Sequence, residues 1–121
     1  MLEPVLGSLV REQVLLFIHV HGEGYAREIS RYFEAPLDSV QKQLKRLESG
    51  SVLTCERKGR TLIYRFNKEY PFLTVLCRLL ERVNYYYSLD IKDKITQKRY
   101  FKKNRKRRKG IRVIVREYGD R

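Results

Sequence analysis

The 121-residue chain is 42% hydrophobic, enough for one small core, and carries a formal net charge of +13, which favours polyanionic partners. Its longest apolar run, residues 14–18, falls far short of the roughly 20 residues of a membrane-spanning helix, and its two cysteines do not make a disulfide framework. Composition thus excludes a membrane-embedded or disulfide-stapled chain; with no basic-then-apolar leader after Met1, the expected location is cytoplasmic.

Ser8 is placed to cap a first helix that reaches about Val20, with Val10, Val14, Phe17 and Ile18 on one face and Gly22 and Gly24 ending it. A second helix is expected over residues 26–33, burying Ala26, Ile29 and Phe33. Glu34-Ala35-Pro36 breaks it, because proline disfavours helix at the residue before it. The third helix, residues 37–49, carries the sharpest signals. Asp38 followed three residues later by Gln41 has the form of a capping box, and Gly50 suits a left-handed residue after the helix. Val40, Leu44 and Leu47 set its inner face. At about 100° per residue, Lys42, Lys45, Arg46 and Ser49 then point away from that face.

Residues 53–57 and 61–66 read as strands, with Leu62, Tyr64 and Phe66 alternating against Thr61, Ile63 and Arg65. Arg57-Lys58-Gly59-Arg60 makes the turn between them, with Gly59 able to take a positive φ, so three cations gather at a tip that buries nothing. A charged outer helix face and a polar loop tip are each common taken alone. Their succession is informative: helix, turn, basic helix, basic hairpin is the order of a winged helix-turn-helix. In that module the second helix of the pair enters the major groove and the hairpin meets the backbone or minor groove beside it.

A fourth helix is expected over residues 71–87, opened by Pro71 at its first position. Phe72, Leu76, Leu79, Leu80 and Val83 form one broad stripe, which Leu73, Val75 and Cys77 widen. A helix apolar on more than one side packs against two things, its own domain and, by expectation, the same helix of a second subunit, with Tyr85-Tyr86-Tyr87 at the edge. Beyond Ser88, Ile91 and Ile95 permit a short further helix, and residues 111–116 suit a strand without an assignable partner. The charge is unevenly spread: residues 1–91 hold 13 Lys/Arg against 11 Asp/Glu, a net of +2, whereas residues 92–109 hold 11 against Asp93 alone, a net of +10. The expected organisation is a winged helix-turn-helix domain with its terminal helix over residues 1–87 and a basic extension over 88–121. The fold class is mainly α with one small β-hairpin.

The residues Gly7-Ser8, Arg11, Gly24-Tyr25-Ala26-Arg27-Glu28-Ile29, the run from Ser39 to Glu48, Gly50, Gly59-Arg60 and Tyr64 form a pattern that resembles the ArsR-like winged helix-turn-helix regulators of bacteria and archaea. The resemblance spans roughly residues 5–87. It implies that Ser39, Gln41, Lys42 and Lys45 face the groove and that Arg57, Lys58 and Arg60 hold phosphates, with dimerisation through terminal helices. One departure matters. Metal-sensing members carry a close cysteine pair at the start of the second helix of this pattern, where Tyr25 and Arg27 stand here. Neither replaces a thiolate, so arsenic or zinc sensing by that site is not expected.

Chemistry beyond binding has no signature. Cys55 and Cys77 lack CxxC spacing and read as small core residues, and His19 and His21, two apart on a helix, point about 200° from each other and cannot share a metal. No nucleophile has a triad context and no glycine-rich phosphate loop occurs. The expectation is a regulator with no catalytic, cofactor or metal site. It would bind double-stranded DNA as a homodimer, with Arg46 joining the reading face. Two alternatives stand beside it: an RNA-binding or ribosome-associated winged-helix protein, and an adaptor docking an acidic protein or membrane surface through its basic tail.

Overall fold

The computed structural model describes the backbone of residues 1–96 and the side chains of residues 1–89. The basic run of residues 98–109 and the strand expected at 111–116 lie outside the described residues. In chain order the elements are α1 (Glu3–Leu6), α2 (Leu9–His21), α3 (Ala26–Phe33), α4 (Leu37–Ser49), β1 (Leu53–Lys58), β2 (Thr61–Phe66) and α5 (Leu73–Thr96). This is a winged helix-turn-helix fold: mainly helical, with one antiparallel hairpin.

The short α1 was not expected, yet it carries a local signal. Pro4 lies at its start, and Gly7 closes it at φ +83°, donating its N–H to the Glu3 carbonyl at 2.7 Å. Ser8 caps α2 as the sequence predicts, its hydroxyl accepting from the Arg11 N–H at 3.2 Å. Helix α2 is the centre of the molecule. Residues 14–18 are buried in unbroken succession, not on one face alone, because α1, α3, α4, α5 and β2 all pack around it. Ile29 of α3, Val40, Leu44 and Leu47 of α4, Leu53 of β1, Tyr64 of β2, and Leu80 and Val83 of α5 complete the core.

Both expected helix signals on α4 are corrected. The helix starts one residue before Asp38, with Pro36 as N-cap and no side-chain cap; the Val40 N–H donates to the Pro36 carbonyl at 3.1 Å. Asp38 therefore lies within the first turn, where its charge complements the helix dipole, and Gln41 has no capping partner to serve. At the other end Gly50 has an ordinary φ of −85°, and Ser51 takes the left-handed conformation at φ +63°. The Val52 N–H reaches back to the Leu47 carbonyl at 2.9 Å, so the closure is a Schellman motif displaced by one residue.

The hairpin pairs in register from Leu53 opposite Phe66 to Lys58 opposite Thr61, leaving Gly59 and Arg60 as a two-residue turn with Gly59 at φ +64°. Leu53, Cys55, Tyr64 and Phe66 face the helices, while Leu62, on the same face but opposite Arg57 near the tip, lies beyond them and is exposed. Ile63 is buried on the opposite face, outside the main core. Gly24 and Tyr64 exchange two backbone hydrogen bonds, Gly24 N–H to Tyr64 O at 3.0 Å and Tyr64 N–H to Gly24 O at 2.8 Å, fastening the hairpin to the α2–α3 turn.

Helix α5 corrects the expected start. Pro71 lies in the turn before it and the helix begins at Leu73. It then runs unbroken to Thr96, so Ile91 and Ile95 extend it and do not open a new helix. At 1.5 Å per residue its 24 residues span about 36 Å. Leu80 and Val83 anchor it in the core, with Leu76 and Tyr87 packed alongside.

Candidate nucleic-acid interface

Helix α4 is positioned by what it buries. Val40, Gln43, Leu44 and Leu47 face inward onto α2 and α3, which turns Gln41, Lys42, Lys45 and Arg46 to solvent; all four are exposed. Ser39, at the start of the helix, is half-buried. The three-residue link to α3 holds the pair at its angle. Glu34 takes a left-handed φ of +55°, the Ala35 N–H donates to the Ser30 carbonyl at 3.0 Å, and the Ser30 hydroxyl donates to the Ala35 carbonyl at 2.6 Å.

The wing places Arg57, Lys58 and Arg60 at its tip, all exposed. A fourth cation on the hairpin is committed elsewhere. Arg65 meets Glu23 of the α2–α3 turn at 2.7 Å and Glu56 of β1 at 3.1 Å. The hydrogen bond and charge of Glu23 first, and Glu56 after it, hold the guanidinium above its already high value. Among the described residues no acidic side chain pairs with Lys42, Lys45, Arg46, Arg57, Lys58 or Arg60. Two sets of unneutralised cations thus stand on the outer face of α4 and at the tip of the hairpin. Such cations retain their full attraction for phosphate oxygens.

Sequence reasoning missed the polar contacts behind α4. Arg11 Nε donates to Gln43 Oε1 at 2.9 Å and its Nη1 donates to the Leu6 carbonyl, while the fully buried Glu12 accepts from the Leu2 N–H and the Tyr87 hydroxyl and meets the Met1 amine at 3.2 Å. Gln43 falls at the i+3 position from Val40 on the core stripe, the one signal by which it was detectable. Both cysteines are half-buried; burial, and then the charge of Glu81, push the Cys77 thiol up, away from the reactive thiolate. His21 stacks on Phe17 with ring centroids 4.2 Å apart. Among the described residues no group of three or more His, Cys, Asp or Glu is placed to hold a metal ion, and no helix is long and apolar enough to cross a membrane.

No protein-family model matches the chain, and no curated protein matches it. Among solved structures, it is similar to ZitR of Lactococcus lactis, determined as a double mutant in apo form. The TM-score is 0.52 at 12% sequence identity, over 80% of this chain and 73% of that one. At that identity the likeness is one of fold.

Proposed function

We propose that this chain is a DNA-binding transcriptional regulator of the ArsR-like winged helix-turn-helix kind, acting as a homodimer. The outer face of α4 enters the major groove, where Gln41, Lys42, Lys45 and Arg46 meet base edges and flanking phosphates, with Ser39 at the helix start. Arg57, Lys58 and Arg60 of the wing hold the backbone alongside. The basic run from residue 92 onward adds sequence-independent attraction to the duplex. The subunits join through the outward side of α5, where Val75, Leu79 and Tyr86 are exposed, with Phe72 exposed in the turn before the helix; Val75 is 67% accessible. Leu73 does not belong to that side, being half-buried. No cofactor or metal is assigned, since Tyr25 and Arg27 stand where a sensing cysteine pair would lie.

The observation that carries this reading is the contrast among the cations. Those on the α4 face and wing tip have no acidic partner among the described residues, while Arg65, nearer the base of the hairpin, is neutralised by Glu23 and Glu56. The net charge of +10 in residues 92–109 supports one second reading, an RNA-binding protein dominated by its tail. Filter binding of duplex DNA, duplex RNA and single strands, each across a salt series, separates the two. Tightest binding to duplex DNA at every salt concentration is expected; tighter binding to RNA would replace this reading with the second.

A further inference from the structure

We infer that Arg11 and Glu12 are positioning residues that link the seat of α4 to the α1–α5 side of the molecule, so that covering that side and presenting the α4 face are energetically coupled. The inference rests on the proposed roles of α4 and α5 and names the contacts that join them. The two residues are neighbours on α2 and point in directions about 100° apart. Arg11 reaches forward to Gln43, which is 7% exposed on the inner side of α4, and back to the carbonyl of Leu6, the last residue of α1. Glu12 takes the N–H of Leu2, the N-cap of α1, and the hydroxyl of Tyr87 on α5. Each end of α1 is therefore held by one of these two side chains, whose second partner lies on α4 or α5.

Helix α1 has four residues, none of them buried, and Val5 at its centre is 76% exposed. A single turn of helix has no cooperative stability of its own, so these polar contacts, together with Leu2 and Leu6 packed against the core, set its position. Gln43 is buried with Arg11 as its partner, and Glu12 is fully buried among the Tyr87 hydroxyl, the Leu2 N–H and the Met1 amine, so each lost contact leaves buried polar capacity less well satisfied. A shift of α1 or α5 must therefore carry Arg11 and Glu12 with it, or strand them. A second copy seated on Val75 and Leu79 would hold α5 in place, through Tyr87 and Glu12 would hold α1, and through Arg11 would hold Gln43 and the pitch of α4. The coupling is reciprocal: a duplex that fixes α4 favours subunit association by the same factor.

Tyr87→Phe tests this by deleting one hydroxyl while keeping the ring; Gln43→Leu removes the acceptor for Arg11. Neither side chain is on the proposed reading face. Backbone hydrogen exchange of the free full-length protein is measured first, because it does not depend on DNA binding. In Tyr87→Phe, exchange should accelerate in α1 and α4 and stay unchanged in α3. Duplex affinity should fall about fivefold or more, the lower end of typical coupling. The double variant should be no weaker than the weaker single variant, because both changes break one linkage. Unchanged exchange in α4, a uniform rise in every helix, or single effects that multiply in the double variant would each overturn the inference. If the wild-type chain binds no duplex, the proposed function falls, and the exchange pattern still decides the linkage. Should Gln43→Leu not fold, Gln43→Glu keeps an acceptor for Arg11 and must leave exchange and affinity near wild type; a loss there also overturns it.

Discussion

Gly24 decides where the wing sits. A Cβ at this position would lie 2.9 Å from two ring atoms of Phe17 and 3.2 Å from Ile29 Cδ1, while its backbone makes both hydrogen bonds to Tyr64. Phe17 and Ile29 are buried and have little room to give. Gly24→Ala should therefore destabilise the fold by about 1–3 kcal/mol, read from the shift of the urea midpoint at unchanged slope. In the sequence this glycine reads only as a helix stop. Its actual role depends on Tyr64, on a strand far along the chain, which no local signal reports. Tyr64 also makes stability depend on pH. Burial, then the charge and hydrogen bond of Cys55, then the charge of Glu48, push its phenol from 10.0 up to about 12. Between those values the folded chain keeps a proton that the unfolded chain has lost, so stability is whole below 10.0 and falls as pH rises toward about 12. Denaturation midpoints followed through that alkaline window should decline in the wild type and decline less in Tyr64→Phe.

Among the elements, α4 was the most legible. Its span, inner stripe and outward cations follow from a 3.6-residue period, and the structure places Gln41, Lys42, Lys45 and Arg46 on the exposed side. Its termini were less legible, because Pro36 and Ser51 do by backbone conformation what Asp38 and Gly50 were expected to do by residue type. Changing Gln41 and Lys42 together to Ala should cost about 1–3 kcal/mol of discrimination for each base edge no longer read, with the melting temperature nearly unmoved. Competition between specific and random duplexes measures this, and unchanged preference would remove α4 from the reading role. For α5, periodicity announced two apolar sides but not their division. Packing on α2 gives Leu80 and Val83 to the core and leaves Val75 and Leu79 outside. Glutamate at Val75 or Leu79 should yield a folded monomer with weaker duplex binding, since two linked half-sites become one. Sedimentation of wild type and variant at micromolar concentration checks it; a monomeric wild type contradicts the dimer.

Across the whole molecule, charge is divided between a nearly balanced body and a strongly basic extension. Each phosphate neutralised on duplex DNA contributes about 0.9 to the slope of log affinity against log salt. If roughly half the cations of the tail touch phosphate, deleting residues 98–121 should flatten that slope by about 5 units while the preferred site survives. A salt titration of both forms on specific and random duplexes measures this. An unchanged slope would assign the tail another partner; lost preference at retained affinity would make it a reader of sequence. The order of elements from α2 to α5, the span of α4, the basic wing tip and the concentration of charge beyond residue 91 were set by the sequence alone, because each depends on neighbours a few residues apart. Tertiary structure decided the rest: residues 14–18 of α2 buried in unbroken succession, Arg65 withdrawn by Glu23 and Glu56, Gly24 clasped to Tyr64, and Glu12 joining Leu2 to Tyr87. These pairings join residues well separated in sequence, up to 75 positions for Glu12 and Tyr87. Their partners are chosen by how helices and hairpin pack, and periodicity along the chain carries no record of that choice.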